Sequence, residues 1–165
     1  LLTDPNSGSV LSAGIAVTAP TGPNATGLAI EDSQIVEVHS ALLQPFAGYF
    51  IKRDRVFLQG FHSVMTPTDS RDVTAIFNDV GIGCWLDTGG GLIKTVVPTF
   101  EVHINTPVNF RNADDFPRYR DAVNLTSGMT WIFAERVTLS GALVAPATGP
   151  KLFDIESIAN LNVFF

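Results

Sequence analysis

Cysteine is almost missing from this 165-residue chain, where Cys84 stands alone. One thiol closes no internal disulfide and supplies no cysteine-based zinc site. Charge is scarce too, at 16% of residues, against roughly 25% in an average soluble domain. Basic residues are scarcer still: ten Lys plus Arg face sixteen Asp plus Glu, for a net charge of −6. That balance argues against nucleic acid as a partner. No apolar run approaches the ~18 residues of a membrane-crossing helix. Leu1-Leu2-Thr3-Asp4-Pro5 lacks the basic start and apolar core of a signal peptide. The chain is therefore expected to be a mature or truncated form, or else not exported. Internal repeats and low-complexity blocks are lacking. What remains is 45% hydrophobic residues, too many for a disordered chain, in a length that makes one domain over residues 1–165.

Those apolar residues alternate with polar ones, and helical spacing is hard to find. The alternation predicts eight strands near 9–19, 36–50, 56–65, 73–86, 92–105, 122–133, 137–146 and 154–165. The fifth is the clearest. Val96, Pro98, Phe100, Val102 and Ile104 share one face, and Thr95, Val97, Thr99, Glu101, His103 and Asn105 the other. In the sixth, Val123, Leu125, Met129 and Trp131 oppose Asn124, Thr126, Gly128 and Thr130. In the eighth, Ile155, Ala159, Leu161, Val163 and Phe165 oppose Asp154, Glu156, Asn160 and Asn162. In the fourth, Ile76, Val80 and Ile82 oppose Asp79, Gly81 and Gly83. The third, from Phe57 to Met65, is mixed on both faces and has no assigned side.

Most of these segments run about 10–14 residues, longer than the ~5–6 of ordinary strands and close to the ~9–11 of a tilted membrane-spanning strand. The connections alternate. Short ones fall at 52–55, 87–91 and 134–136, and long ones at 20–35, 66–72, 106–121 and 147–153. In an up-and-down sheet this places every short turn at one end, as in outer-membrane barrels. Tyr49, Trp85, Trp131 and Phe165 are expected on the apolar face near strand ends, where an interfacial aromatic girdle would sit. The fold expected is all-β: an antiparallel up-and-down transmembrane β-barrel with about eight strands in this chain.

The chain ends Ile158-Ala159-Asn160-Leu161-Asn162-Val163-Phe164-Phe165. Its alternate apolar residues and final aromatic resemble the C-terminal insertion signal of bacterial outer-membrane proteins, with Leu161, Val163 and Phe165 as the signal residues. Leu42-Leu43-Gln44-Pro45-Phe46, Pro67-Thr68-Asp69-Ser70-Arg71-Asp72 and Phe77-Asn78-Asp79-Val80-Gly81 resemble uncharacterised transporter-like barrels. These are grouped loosely with FadL-like or phenol-degradation-type outer-membrane proteins. The resemblance implies a bacterial outer-membrane location, the lipid bilayer and the outer-membrane assembly machinery as partners, and passage of small hydrophobic molecules.

Asp79, Thr99, Glu101, His103, Asn105, Asn124, Thr126, Asp154, Glu156, Asn160 and Asn162 are the candidate lumen lining. Glu101 and His103, two apart on one face, are placed to pair and form a polar constriction. As a group the lining tolerates cations. Asp87-Thr88-Gly89 resembles an aspartic-protease motif, but Gly90 follows where that pattern wants Ala or Ser, and the segment reads as a hairpin turn. Cys84 is expected to be buried on the apolar face. His39, His62 and His103 are too scattered for a metal site. No catalytic group, cofactor or metal is implied.

The expected function is passive passage of small, hydrophobic solutes through an outer-membrane barrel. A closed eight-stranded barrel is filled by its own side chains, so the chain is expected to be the C-terminal portion of a larger barrel. The alternatives are a small eight-stranded barrel with a structural, adhesive or lipid-binding role, and a soluble β-barrel binding an apolar ligand.

Overall fold

The computed structural model describes the chain except residues 22–24, 30–33, 39, 116–117, 135, 150, 152 and 165, and within 25–29 and 34–38 it describes the backbone alone. Among the described residues there is no helix. The strands are β1 (Leu2–Thr3), β2 (Val10–Thr18), β3 (Ala25–Ala29), β4 (Gln34–Val38), β5 (Leu42–Arg53), β6 (Val56–Pro67), β7 (Ala75–Cys84), β8 (Leu86–Asp87), β9 (Ile93–Pro107), β10 (Ala122–Phe133), β11 (Val137–Thr148) and β12 (Glu156–Val163). One antiparallel sheet of ten strands runs in the order β1-β2-β5-β6-β7-β9-β10-β11-β12, with β8 extending β7 against β9. β3 and β4 pair apart from it as a hairpin.

The expected count of eight holds for the long strands β2, β5, β6, β7, β9, β10, β11 and β12. The sheet gains β1 and β8, two residues each, too short to show a period. The segment expected over 36–50 divides into β4 and β5, because no Gly or Pro marks the break at Ser40-Ala41. The sheet is an up-and-down meander, but an open one: among the described residues β12 pairs only with β11, and β2 only with β1 and β5.

Short turns join β5 to β6, β8 to β9 and β10 to β11, all at one end. Asp54 and Ala134 make two of these turns with φ of 54° and 46°, and Gly89, Gly90 and Gly91 make the third with φ of 77°, 145° and 90°. Glycine pays no Cβ penalty in that region. The long connections meet at the other end and are tied to one another. Thr68 donates its N–H to the Ala41 carbonyl, Val108 donates to Thr74, and Asn109 bridges to Thr74 and Asp72.

Directly opposed residues of an antiparallel ladder share a face. One row crosses the whole sheet through Val10, Phe50, Gln59, Gly81, Glu101, Thr126, Val144 and Glu156. It starts at the first residue of β2, at the short-turn end, and finishes at the first residue of β12, at the long-loop end. Successive strands are thus displaced in one direction. At roughly 3.3 Å per residue and 4.8 Å per strand, this stagger inclines the strands by about 35° from the perpendicular to the line of their ends.

The two faces differ in exposure. The face bearing the rows above is the enclosed one, with Ser63 only 4% and Thr126 9% exposed. Phe57, Val97 and Val144, the buried hydrophobics among the described residues, lie there too. The opposite face leaves Ile15 63%, Leu143 58% and Leu161 62% exposed. Directly opposed aromatic–glycine pairs fasten neighbouring strands. Phe46 faces Gly14, Tyr49 faces Gly60 and Phe57 faces Gly83. In each pair the ring occupies the place of the missing Cβ, which shields bare backbone.

Candidate functional site

The third segment, mixed on both faces by its residues, receives its side from the ladder. Phe57, Gln59, Phe61, Ser63 and Met65 lie on the enclosed face. A second row, one step nearer the long loops, contains Ser12, Gly48, Phe61, Asp79, His103, Asn124 and Pro146. These two rows bring together residues that the sequence spreads over more than a hundred positions.

His103 is the hub. Its Nδ1 lies 2.8 Å from Asp79 Oδ1, and its Nε2 lies 3.0 Å from Thr126 Oγ1 and 3.5 Å from Glu101 Oε2. Gln59 Nε2 donates to Glu101 Oε1 at 3.1 Å. With Asp79 ionised, Nδ1 carries the ring proton and donates to it. The neutral ring then accepts from the Thr126 hydroxyl through Nε2, and the charged ring donates outward from both nitrogens. The ring therefore has partners in either state.

An Asp–His–hydroxyl order is also that of nucleophilic hydrolases. Thr126, however, is buried, and its backbone is paired on both sides, to Glu101 and to Val144. The ladder leaves no N–H beside it to stabilise an oxyanion. The contact positions the imidazole.

Next to this cluster lies a cleft of about 410 Å³, lined by both rows across β2, β5, β6, β7 and β9. Buried Gly48 and Gly81 form part of its floor. Phe50 and Phe61 form one side, and Asp79, Glu101 and His103 the other. Toward the short-turn end the aromatic side continues. Phe50 packs on Phe57 at 5.2 Å, and Phe57 on Trp85 at 4.5 Å. Lys52 Nζ sits 5.0 Å over the Trp85 ring.

Of the expected lining, Asp79, Glu101, His103 and Thr126 meet, and Asn124 is directly opposite His103. Thr99 and Asn105 share the face, opposite Gly128 and Ala122. Glu156, Asn160 and Asn162 share it too, but on β12, opposite Val144, Ser140 and Thr138 and away from the cluster. Asp154 is exposed in the bend before β12, off the strand. Leu161 and Val163 are exposed on the apolar face, and Phe165 lies outside the described residues.

Trp85 corrects the expected girdle. It packs on Phe50 and Phe57, on the enclosed face, because Cys84 before it already takes the other side. Cys84 itself is half-buried rather than buried, since few side chains cover that face. Asp87-Thr88-Gly89 is an exposed turn. Thr88 Oγ1 folds back on the Ile93 carbonyl, and Asp87 lies 3.5 Å from Arg55. Alternation alone missed Gln59, Phe61 and Gly48, for they join the site only through cross-strand register, whereas Gly81 already shares the face of Asp79.

At the rim, Arg71 donates from Nε and Nη2 to Asp69, holding its carboxyl down at about 2. Arg111 grips both Asp121 oxygens, at 2.8 and 3.0 Å, and lowers that carboxyl as well.

No protein-family profile matches the chain, and neither curated proteins nor solved structures give a match.

Proposed function

We propose that this sheet is wall of a transmembrane β-barrel in a bacterial outer membrane, with its enclosed face toward a lumen and its apolar face toward lipid. The protein gives passive, non-catalytic passage to small solutes, hydrophobic ones included. The observation that carries this reading is the bare apolar face: Ile15, Leu143 and Leu161 stand outward, while the other face holds Ser63 and Thr126 buried beside Phe57, Val97 and Val144. Hydrocarbon is the solvent in which that arrangement is stable.

Two further features support it. The strand inclination of about 35° lies at the lower end of the ~35–45° tilt of closed barrels. Strands β5, β6, β10 and β11 have 12 residues each. At that tilt such a strand rises about 30 Å, the thickness of a bilayer core. Leu161, Val163 and Phe165 are the contact offered to the assembly machinery. The Asp79–Glu101–His103 cluster is the constriction. Among the described residues, the strands carry Asp79, Asp87, Glu101 and Glu156 on the enclosed face against Lys52, which sits over Trp85. The passage therefore favours cations and neutral solutes over anions.

One observation favours a second reading, a soluble β-barrel or sandwich. His62 Nδ1 lies 2.9 Å from Asn78 Oδ1 on the apolar face, with Tyr49 stacked on His62 at 5.8 Å. Such a pair, midway along β6, suits a covering protein layer.

The full-length protein decides between them by extraction, gel migration and conductance. The membrane reading expects release only with detergent, faster migration unheated than boiled, and channels in planar bilayers that select for potassium over chloride. Solubility without detergent establishes the second reading instead.

A further inference from the structure

We infer that the cleft between the two rows is a binding subsite for small aromatic or bulky apolar ammonium ions. The inference rests on the reading of this face as a lumen wall. Four observations converge on that ligand.

The first is space. A volume of about 410 Å³ is in the range of small-molecule clefts. Its location on a sheet needs a cause, and the cause is the pair of glycines. A Cβ at Gly81 would stand 2.8 Å from Glu101 Cγ and 3.3 Å from Gln59 Cγ, and one at Gly48 3.1 Å from Ser12 Oγ. Side chains there would fill the cleft.

The second is charge. Two carboxylates share one imidazole, so the cluster keeps a negative charge whether the ring is neutral or protonated. Any cation entering the cleft is attracted in both states.

The third is unused acceptor capacity. A carboxylate offers about four lone-pair sites. Among the described residues, Asp79 Oδ2 accepts no hydrogen bond, and Glu101 Oε2 has only His103 Nε2 at 3.5 Å. An ammonium brings the donors these oxygens lack.

The fourth is the facing wall. Phe61, 38% exposed, stacks on Phe46 at 5.6 Å and stands on the row of Asp79 and His103. With Phe50 it lines the cleft with aromatic surface, on which an apolar body can lie and to whose π systems a cation is attracted. A bare metal ion would use the carboxylates and ignore the rings. An anion would meet the carboxylates, and a plain hydrocarbon would leave them unused.

The test uses three probes on the full-length protein in detergent micelles, followed by saturation-transfer NMR and calorimetry. Benzylammonium carries both features, methylammonium the head alone, and benzenesulfonate the ring with the opposite charge. Benzylammonium is expected to bind on the order of tenfold more tightly than either. Glu101→Gln and Phe61→Leu should each remove most of that advantage. Both are close in shape to the original, and unchanged heat-modifiable migration verifies their folding. Equal binding of benzenesulfonate, or binding unaltered by Glu101→Gln, overturns the subsite. Conductance recorded alongside separates the two claims. Channels without charge-selective binding remove the subsite and leave the passage, and charge-selective binding without channels removes the passage.

Discussion

The two faces of the sheet set opposite problems. On one, Ser63, Thr126 and Asp79 are enclosed or half-enclosed, and each has a partner. On the other, Ile15, Leu143 and Leu161 stand in the open. In water, apolar burial is the dominant favourable term in folding, and this chain buries little of it. What holds the sheet is its ladder of hydrogen bonds, the packing of the enclosed face and whatever solvent meets the outer face. The comparison shows that one face packs aromatic and polar side chains together while the other leaves large apolar side chains bare, an exposure that water penalises.

The largest effect should come from the enclosed face. Phe57 is 5% exposed, covers Gly83 and packs on Phe50 and Trp85. Phe57→Ala is expected to cost about 3 kcal/mol, as at a packed core position. Leu143→Ala on the outer face should cost less than about 1 kcal/mol, because surrounding detergent or lipid replaces the lost contact. Urea unfolding of the protein in micelles measures both. Equal costs would mean that the outer face is packed as well, against a layer of protein.

A charge sharpens the contrast. Leu143 lies midway along β11, where on the proposed membrane reading an arginine would point into the bilayer centre. Leu143→Arg should destabilise the protein by about 2–4 kcal/mol in lipid vesicles, the range for cationic residues on the lipid face of a barrel. Asn160→Arg, on the lumen face of β12, should stay within about 0.5 kcal/mol. Near-neutral values at both sites would place water, and not hydrocarbon, outside the sheet.

Much of this architecture was legible in the residues. The long strands, their sides and the alternation of short and long connections follow from period-two patterning and turn residues. Glu101 and His103 could be paired because they sit two apart on one strand. Asp79 and Thr126 could be placed on the same face, but their meeting with His103 depends on register, which no single strand encodes. Gln59 and Phe61 were opaque for another reason. Their strand carries Phe on the enclosed face and Gly60 and His62 on the apolar one, so alternation gives no side. Of the hairpin, β3 lies inside the connection expected at 20–35, and β4 reads as one continuous strand with β5.

The smallest effect lies at the rim, where neither face is involved. Arg71 reaches Asp69 with its side chain and its backbone N–H, and these bonds hold the carboxyl at about 2, below its ordinary value of 3.8. A depressed carboxyl pKa contributes to stability above the unfolded value and loses that contribution as pH falls through the folded one. The contribution of this ion pair is therefore complete above about pH 4 and fades toward pH 2. The carboxyl carbon shift of Asp69, followed by NMR from pH 6 to 1.5, should show a midpoint near the lower value. Arg71→Ala should move that midpoint up toward 3.8 while leaving the sheet's stability at neutral pH nearly unchanged. A loss of stability as large as that of Phe57→Ala would show that the rim and the enclosed face unfold as one unit. An unmoved midpoint would show that the arginine does not hold the carboxylate in solution.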